Sequence, residues 1–391
     1  MNTHWHIVTP ELPPDCGGVG DYTYQIAEAL RQSGDLVSLY VPPAPSARRG
    51  PAGVETITLT DRFGARSRRQ LSARLSADRT GRLLVQYVPA AFGRRGTNVP
   101  FCRWLLAQRK AGTDVRVMFH EPYLYLRWRP DHIVTAFTQR AMAAILLDAA
   151  THLYLSTDTW RRYLRRFRPD AIRSAVTIPI PSAIPHVDAA QAVRTTRTAS
   201  LGRASSLIGH FGSYGNHVAP LLRRVLIDVL SSDPRVAALC TGAGSDRFVK
   251  NLVSSHPDLG GRLVASGRAS ADDISVQLQA CDVLIQPYPD GVTTRRTSVM
   301  AGLANGCAVV TNDGKLTEDI WGRMDCVAMT AAADSAALVQ QIRELLTDAA
   351  AREALQARAI AAYETYFALP HTIDALRADC SRRAAFEMAS R

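Results

Sequence analysis

Apolar runs of strand length alternate with helical patterns along most of this chain, and that alternation narrows its folds more than any other feature. Runs at residues 4–8, 36–41, 83–88, 115–119 and 152–156 are separated by helical patterns around 68–75, near 101–110 and over 133–149. A strand that returns parallel to its predecessor needs a crossover long enough for a helix, so the pattern specifies a parallel sheet with helices on both faces. After a run at 176–180 comes a polar segment, 188–205, without apolar periodicity. The alternation then resumes, with strands at 207–211, 236–240, 263–265, 283–286, 307–310 and 326–329 and helices at 218–230, 335–346, 349–366 and 372–388. At 391 residues the chain can build two cores of ordinary size. The expectation is an α/β protein of two doubly wound units, 1–187 and 206–365, joined by a linker at 188–205, with a C-terminal helix in 366–391.

In such sheets chemistry gathers where a strand's C-terminal end meets the N-terminus of the next helix, since unpaired N–H groups and the helix dipole favour an anion there. The stretch 281–312 is the richest case: CDVLIQPYPDGVTTRRTSVMAGLANGCAVVTN. A strand opens onto a loop with Asp290, Gly291, Arg295 and Arg296, then Thr297 or Ser298 caps a helix that ends by Asn305-Gly306, before a second buried strand. Adjacent arginines offer two planar forks of donors, suited to a phosphate or diphosphate. A solvated pair capping a surface loop is the other reading.

Earlier loops follow the same logic. Gly17, Gly18 and Gly20 follow the first strand and lead into a helix with Tyr22, Ile26, Ala29 and Leu30 on one face and Asp21 as its cap. Tight turns use the same glycines. His120 and Glu121 follow the strand at 115–119, placed for proton transfer or for holding sugar hydroxyls, or else for a bond to neighbouring backbone. Gly212, Ser213, Tyr214 and Gly215 open the second unit's first loop, and Gly242, Gly244, Gly267 and Arg268 sit in its next two. Trp160, Tyr163, Leu164 and Phe167 recur at helical spacing among arginines, a basic amphipathic helix that either packs its apolar stripe on a core or rests on an anionic membrane.

Together these loops resemble the retaining glycosyltransferases of family 4, which have the GT-B fold, two Rossmann-like domains facing across a cleft. That family carries a Glu-Gly pair, a second Glu after seven intervening residues, and a helix ending Gly, small residue, Pro, Val, Val. Asp290-Gly291 stand at the first pair, and 305–310 (Asn-Gly-Cys-Ala-Val-Val) match the end. Ala301 falls at the second Glu, the interval is three residues longer, and the family's usual Gly-Arg and Lys are absent from the 212–217 loop. The resemblance implies transfer of a sugar from a nucleoside diphosphate sugar, with retention and without a metal or other cofactor, to a glycan, lipid-linked or small-molecule acceptor. It implies that His120 and Asp290 are catalytic and orient the sugar. The diphosphate falls to Gly17, Gly18, Gly20, the 212–215 loop, Arg295 and Arg296, which replace the missing cations. The nucleotide and ribose fall to Gly242, Gly244, Gly267, Arg268, Thr297 and Ser298, and the acceptor to the side of Glu121. It also implies a C-terminal helix that packs back on the first domain. Three alternatives remain: other sugar-nucleotide chemistry such as epimerisation or inverting transfer, a non-catalytic nucleotide-sugar-binding subunit, and a nucleic-acid binder.

A net charge of +11, nearly all arginine, favours anionic partners, yet no helix-turn-helix, zinc or aromatic-rich basic motif points to nucleic acid. Seven cysteines without CxxC or Cys/His spacing read as reduced, buried thiols and not as a disulfide framework or a zinc site. The N-terminus enters a strand at once, and the most apolar stretch, 141–155, is too short and too interrupted to span a bilayer. The expected location is cytoplasmic, soluble or peripheral at the inner face of an anionic membrane.

Overall fold

The computed structural model describes residues 2–15, 17–93, 96–123 and 130–378, without the side chains of 130 and 131. The chain forms two compact units: one comprises the residues up to Pro179 together with those from Leu369 onward, the other is Ile180–Ala368.

Unit 1 is a seven-stranded, all-parallel sheet. Its strands are β1 (His4–Val8), β2 (Leu36–Val41), β3 (Glu55–Thr58), β4 (Arg82–Tyr87), β5 (Asp114–Phe119), β6 (His152–Leu155) and β7 (Val176–Thr177), in the order β3-β2-β1-β4-β5-β6-β7. Central strands are covered on both faces, so they read as continuous apolar runs: Trp5, Ile7, Val8, Leu83, Leu84 and Val85 are fully buried. The edge strand β3 reads ETIT, is half-exposed, and carries too little apolar signal to be found by periodicity. The helix Gly18–Gln32 buries Tyr22, Ile26 and Leu30 on its sheet-facing stripe. Its N-cap is Gly17, and Asp21 lies within the first turn instead of capping it.

The basic amphipathic segment is shorter than its spacing suggests. The helix is Thr159–Leu164, with Trp160 and Leu164 buried and Arg161 bonded to the carbonyls of Ile172 and Ala175, so its apolar stripe packs on the unit 1 core. The helix Leu369–Arg377 also belongs to unit 1, where Ile373 and Leu376 are buried. It is tied down by Arg116, itself 1% exposed, whose Nη1 donates to the Leu376 carbonyl at 2.6 Å and to Tyr154 Oη at 3.1 Å while its other nitrogens bind Asp114. A buried guanidinium needs such full pairing. The part of the expected terminal helix beyond residue 378 lies outside the described residues.

Unit 2 is a six-stranded, all-parallel sheet of β8 (Ser206–Phe211), β9 (Val236–Thr241), β10 (Leu263–Gly267), β11 (Val283–Ile285), β12 (Val309–Asn312) and β13 (Ala328–Thr330). The order is β10-β9-β8-β11-β12-β13. Helices Ala219–Ser232 and Ser335–Thr347 close one face over Leu222, Val225, Leu338 and Ile342, and Thr297–Ala304 and Ala349–Ala362 contribute Val299, Met300, Leu303 and Ala359 to a second core. The segment 188–205, read as a linker, instead carries the helix Ala190–Leu201. Its sparse apolar positions Val193 and Leu201 pack on the small cluster around Leu207, Leu239 and Cys281. The helices Ser245–Ser255 and Ala271–Gln279 and the short Ile320–Met324 are additional to those the periodicity marks.

Candidate functional site

Strand order reverses direction between β8 and β11, which makes their C-terminal ends the switch point of the unit 2 sheet. A buried network joins the two strand ends. Ser298 Oγ lies 2.7 Å from Tyr288 Oη, Tyr288 donates to Gln286 Oε1, and Gln286 Nε2 donates to the Phe211 carbonyl. Glycines bring the neighbouring loops into contact. Gly242 has φ +109°, and a Cβ there would lie 2.6 Å from the Gly212 carbonyl; Gly291 has φ +88°, and a Cβ would collide with Thr317 Oγ1 and the Gly314 backbone. Gly242 N donates to the Gly267 carbonyl, and Gly212 N to that of Thr241, so the loops after β8, β9 and β10 are pinned together.

Cations gather on the β11 and β12 side. Arg296 is the N-cap of the helix Thr297–Ala304, and its own side chain makes no capping hydrogen bond there. The Arg296 guanidinium stacks 4.4 Å from the Tyr288 ring, a cation–π contact that fixes its direction. Thr297 and Ser298 are therefore the first helical residues and not the cap. Thr294, just before Arg295, is held by Glu318, 8% exposed, whose carboxylate accepts from Thr294 N at 3.0 Å, Thr294 Oγ1 and Trp321 Nε1 at 3.1 Å.

Asp290 receives Lys315 Nζ at 2.8 Å and His217 Nε2 at 3.1 Å. Burial alone would raise its pKa, but the Lys315 hydrogen bond and charge, with His217 and Arg296 nearby, hold it below the usual carboxylate range. Asp290 is thus an ionised hub that positions cations, unfit as a proton donor near neutrality. Lys315 adds a cation to the one Arg296 supplies here, and His217 places an imidazole beside it. The signal for Lys315 was Asp313-Gly314-Lys315 directly after a buried strand.

His210 is a further residue that sequence reasoning missed. Its Nδ1 donates to the Ile285 carbonyl at 2.8 Å, and its buried Nε2 has no partner among the described residues. Burial pushes its pKa down to about 4, so the ring is neutral and Nε2 is a bare acceptor, 3.7 Å from where a Gly212 Cβ would sit. Tyr214 turns its hydroxyl to the carbonyls of His210 and Thr241, so only its backbone faces the loop. Gly215 accepts from Val218 and Ala219 in the turn before the helix Ala219–Ser232, whose N-cap is Val218, Gly244 is the left-handed N-cap of Ser245–Ser255, and Arg268 is exposed.

Unit 1 places its own predicted residues at the matching strand ends. His120 is buried, Nε2 donating to Gln86 Oε1 at 2.7 Å with the Tyr22 ring edge-on at 5.2 Å, and Glu121 beside it is half-buried. The carboxylate of Glu11 occupies the N-terminus of the helix after Gly17: Gly20 N donates to Glu11 Oε1 at 3.1 Å, and a Cβ on Gly17 would collide with this side chain. Burial and the Glu11 charge raise the Asp21 pKa. The Glu11 side chain thus lies at the helix N-terminus beside Gly17 and Gly20.

At the level of sequence, no family model and no curated protein matches the chain. In structure it is similar to sucrose-phosphate synthase from Thermosynechococcus elongatus, with a TM-score of 0.73 and 14% identity over 100% of both chains. It is similar to WaaG, a glycosyltransferase of lipopolysaccharide biosynthesis, with a TM-score of 0.69 and 14% identity over 96% of this chain and 100% of that one. It is also similar to Anabaena HepE in complex with UDP and glucose, with a TM-score of 0.66 and 15% identity over 100% of both. Among the described residues no helix is long and apolar enough to cross a membrane. With two parallel-sheet Rossmann-like units and these neighbours, the chain has the GT-B fold of glycosyltransferases.

Proposed function

We propose that the protein is a glycosyltransferase that binds a nucleoside diphosphate sugar at the C-terminal edge of the unit 2 sheet and transfers the sugar with retention of configuration. The observation that carries this reading is the convergence of the N-terminus of the helix Thr297–Ala304, Arg296 and Lys315 on the switch point of a Rossmann-like sheet. An anion with several negative oxygens is the ligand that such a field fits. Anabaena HepE, a structural neighbour, is described in complexes with UDP and with UDP-glucose.

In this reading the arginine forks and the N–H groups of the 297–298 turn take the charge that builds on the departing diphosphate, so chemistry proceeds without a metal. Asp290 keeps Lys315 and His217 aimed at the ligand. The bare Nε2 of His210 accepts a hydrogen bond from a ligand hydroxyl. Gly242, Gly244 and Gly267 let the nucleotide approach the backbone. The acceptor is assigned to unit 1, where His120, fixed by Gln86, and Glu121 offer polar groups at a strand end.

The test is turnover. Incubating the full chain with a panel of nucleoside diphosphate sugars and acceptors should release one nucleoside diphosphate, with an α-linked product from an α-linked donor by NMR. A β-linked product would refute retention. Release abolished to the same extent by Arg235→Ala, a remote exposed residue, as by Arg296→Ala would refute the site.

A further inference from the structure

We propose that His4, His6 and Asp78 bind one divalent transition-metal ion of the zinc type, which clips together the N-terminal ends of the unit 1 strands. His4 and His6 lie two residues apart on β1 and so project from the same face, and Asp78 follows the helix Ala65–Ala77 just before β4. One donor atom from each falls within 4.8 Å of the other two. His4 Nδ1 is 2.7 Å and His6 Nε2 3.0 Å from the same oxygen, Asp78 Oδ2. Bonds of about 2.0–2.1 Å in a tetrahedral site set donors roughly 3.3 Å apart, so a swing of the carboxylate by less than about 1 Å makes room for an ion.

The outer hydrogen bonds are those of a metal site. Ser38 Oγ donates its one proton to Glu55 Oε2, so the Ser38 oxygen accepts from His4 Nε2 at 3.0 Å and that nitrogen carries the ring proton. His4 Nδ1 is thereby turned to Asp78 Oδ2 at 2.7 Å, where a metal ion can take the place of a bridging proton. His6 is fixed in the same manner, its Nδ1 lying 2.9 Å from Tyr40 Oη and its Nε2 turned to Asp78. Metal-ligating histidines generally have the second ring nitrogen held in this way, which sets tautomer and ring orientation. Gly81 keeps the approach open, since a Cβ there would lie 2.8 Å from His6 Nε2 and 2.7 Å from Asp78 Oδ2. Two imidazoles and one carboxylate suit Zn²⁺ or its neighbours, and the partial exposure of His4 and Asp78 leaves water for the fourth position. The site sits at the strand ends opposite to Glu11 and His120, so its role is structural and independent of sugar transfer.

The experiment uses the untagged full chain, stripped with chelator and titrated with Co²⁺ under optical absorption, with zinc content measured after dialysis. The expected result is tetrahedral d–d bands saturating at about one equivalent, about one zinc per chain, and a thermal midpoint that falls on chelation. His4→Gln and Asp78→Asn should lose the bands and the chelator sensitivity while keeping the native far-UV spectrum. Absent or substoichiometric uptake by the native chain overturns the proposal, as does equal uptake by folded variants. If a variant does not fold, the native titration and the chelator shift decide alone.

Discussion

Arg296→Ala removes a guanidinium whose direction is fixed by an aromatic ring at the candidate site. Its charge stacks 4.4 Å from the Tyr288 ring at the first turn of Thr297–Ala304. A unit charge 4 Å from a phosphate oxygen interacts by about 4 kcal/mol at the effective dielectric of a protein surface, before desolvation is subtracted. Hydrogen bonds to charged groups are worth about 1.5–3 kcal/mol net, so affinity for a nucleoside diphosphate should fall about 10- to 150-fold. Stability should fall by only about 0.5–1 kcal/mol, the worth of the cation–π contact. Calorimetric titration at fixed salt separates the two effects, with Arg235→Ala, an exposed residue paired with Asp233, as a control for the loss of one positive charge. Arg296→Lys keeps the charge but loses the planar fork, and should fall between. Native-like affinity, within twofold, in both Arg295→Ala and Arg296→Ala would refute the reasoning.

Three further outcomes follow from the geometry. Glu318→Ala leaves Thr294 and Trp321 without their buried acceptor and should lower unfolding free energy by about 3 kcal/mol or more in urea titrations, loosening the Arg295 loop as well. Gly242→Ala forces a side chain into φ +109° and 2.6 Å from the Gly212 carbonyl; a cost of about 1–3 kcal/mol and weaker nucleotide binding are expected, and native behaviour would contradict the pinned loops. His210 is held near a pKa of about 4 by burial, against 6.5 in the unfolded chain, so the unfolded state takes up the proton first. Its contribution is intact above pH 6.5 and is lost as pH falls towards 4, on the order of 3 kcal/mol, and His210→Gln should flatten this part of the stability profile.

The strands were legible because central parallel strands are apolar on both faces, as in the 283–285 and 307–310 runs, whereas the half-exposed ETIT edge of β3 carries no such mark. Helix existence was clear for Gly18–Gln32 and less so for Ala190–Leu201, whose two anchoring apolar residues are spaced too widely to stand out. What periodicity cannot carry is non-local pairing. Asp290 meets Lys315 and His217, Glu11 reaches the helix after Gly17, and Arg116 holds the carbonyl of Leu376, contacts that join residues 9 to 260 positions apart. The 290–296 loop was found because strand, glycine, arginines and helix are contiguous. The His4, His6 and Asp78 cluster was not, because its carboxylate lies 72 residues from His6.

The most direct test of the central claim is thermal unfolding of the purified chain with free nucleoside diphosphates and a panel of nucleotide sugars. A ligand at 100 times its Kd stabilises the folded state by about 2.7 kcal/mol, a shift of several degrees for a unit of this size. The account predicts that one base raises the midpoint, as diphosphate and as sugar conjugate, and that Arg296→Ala abolishes the shift at the same concentration. No shift with any nucleotide, or an equal shift in Arg296→Ala, would contradict it.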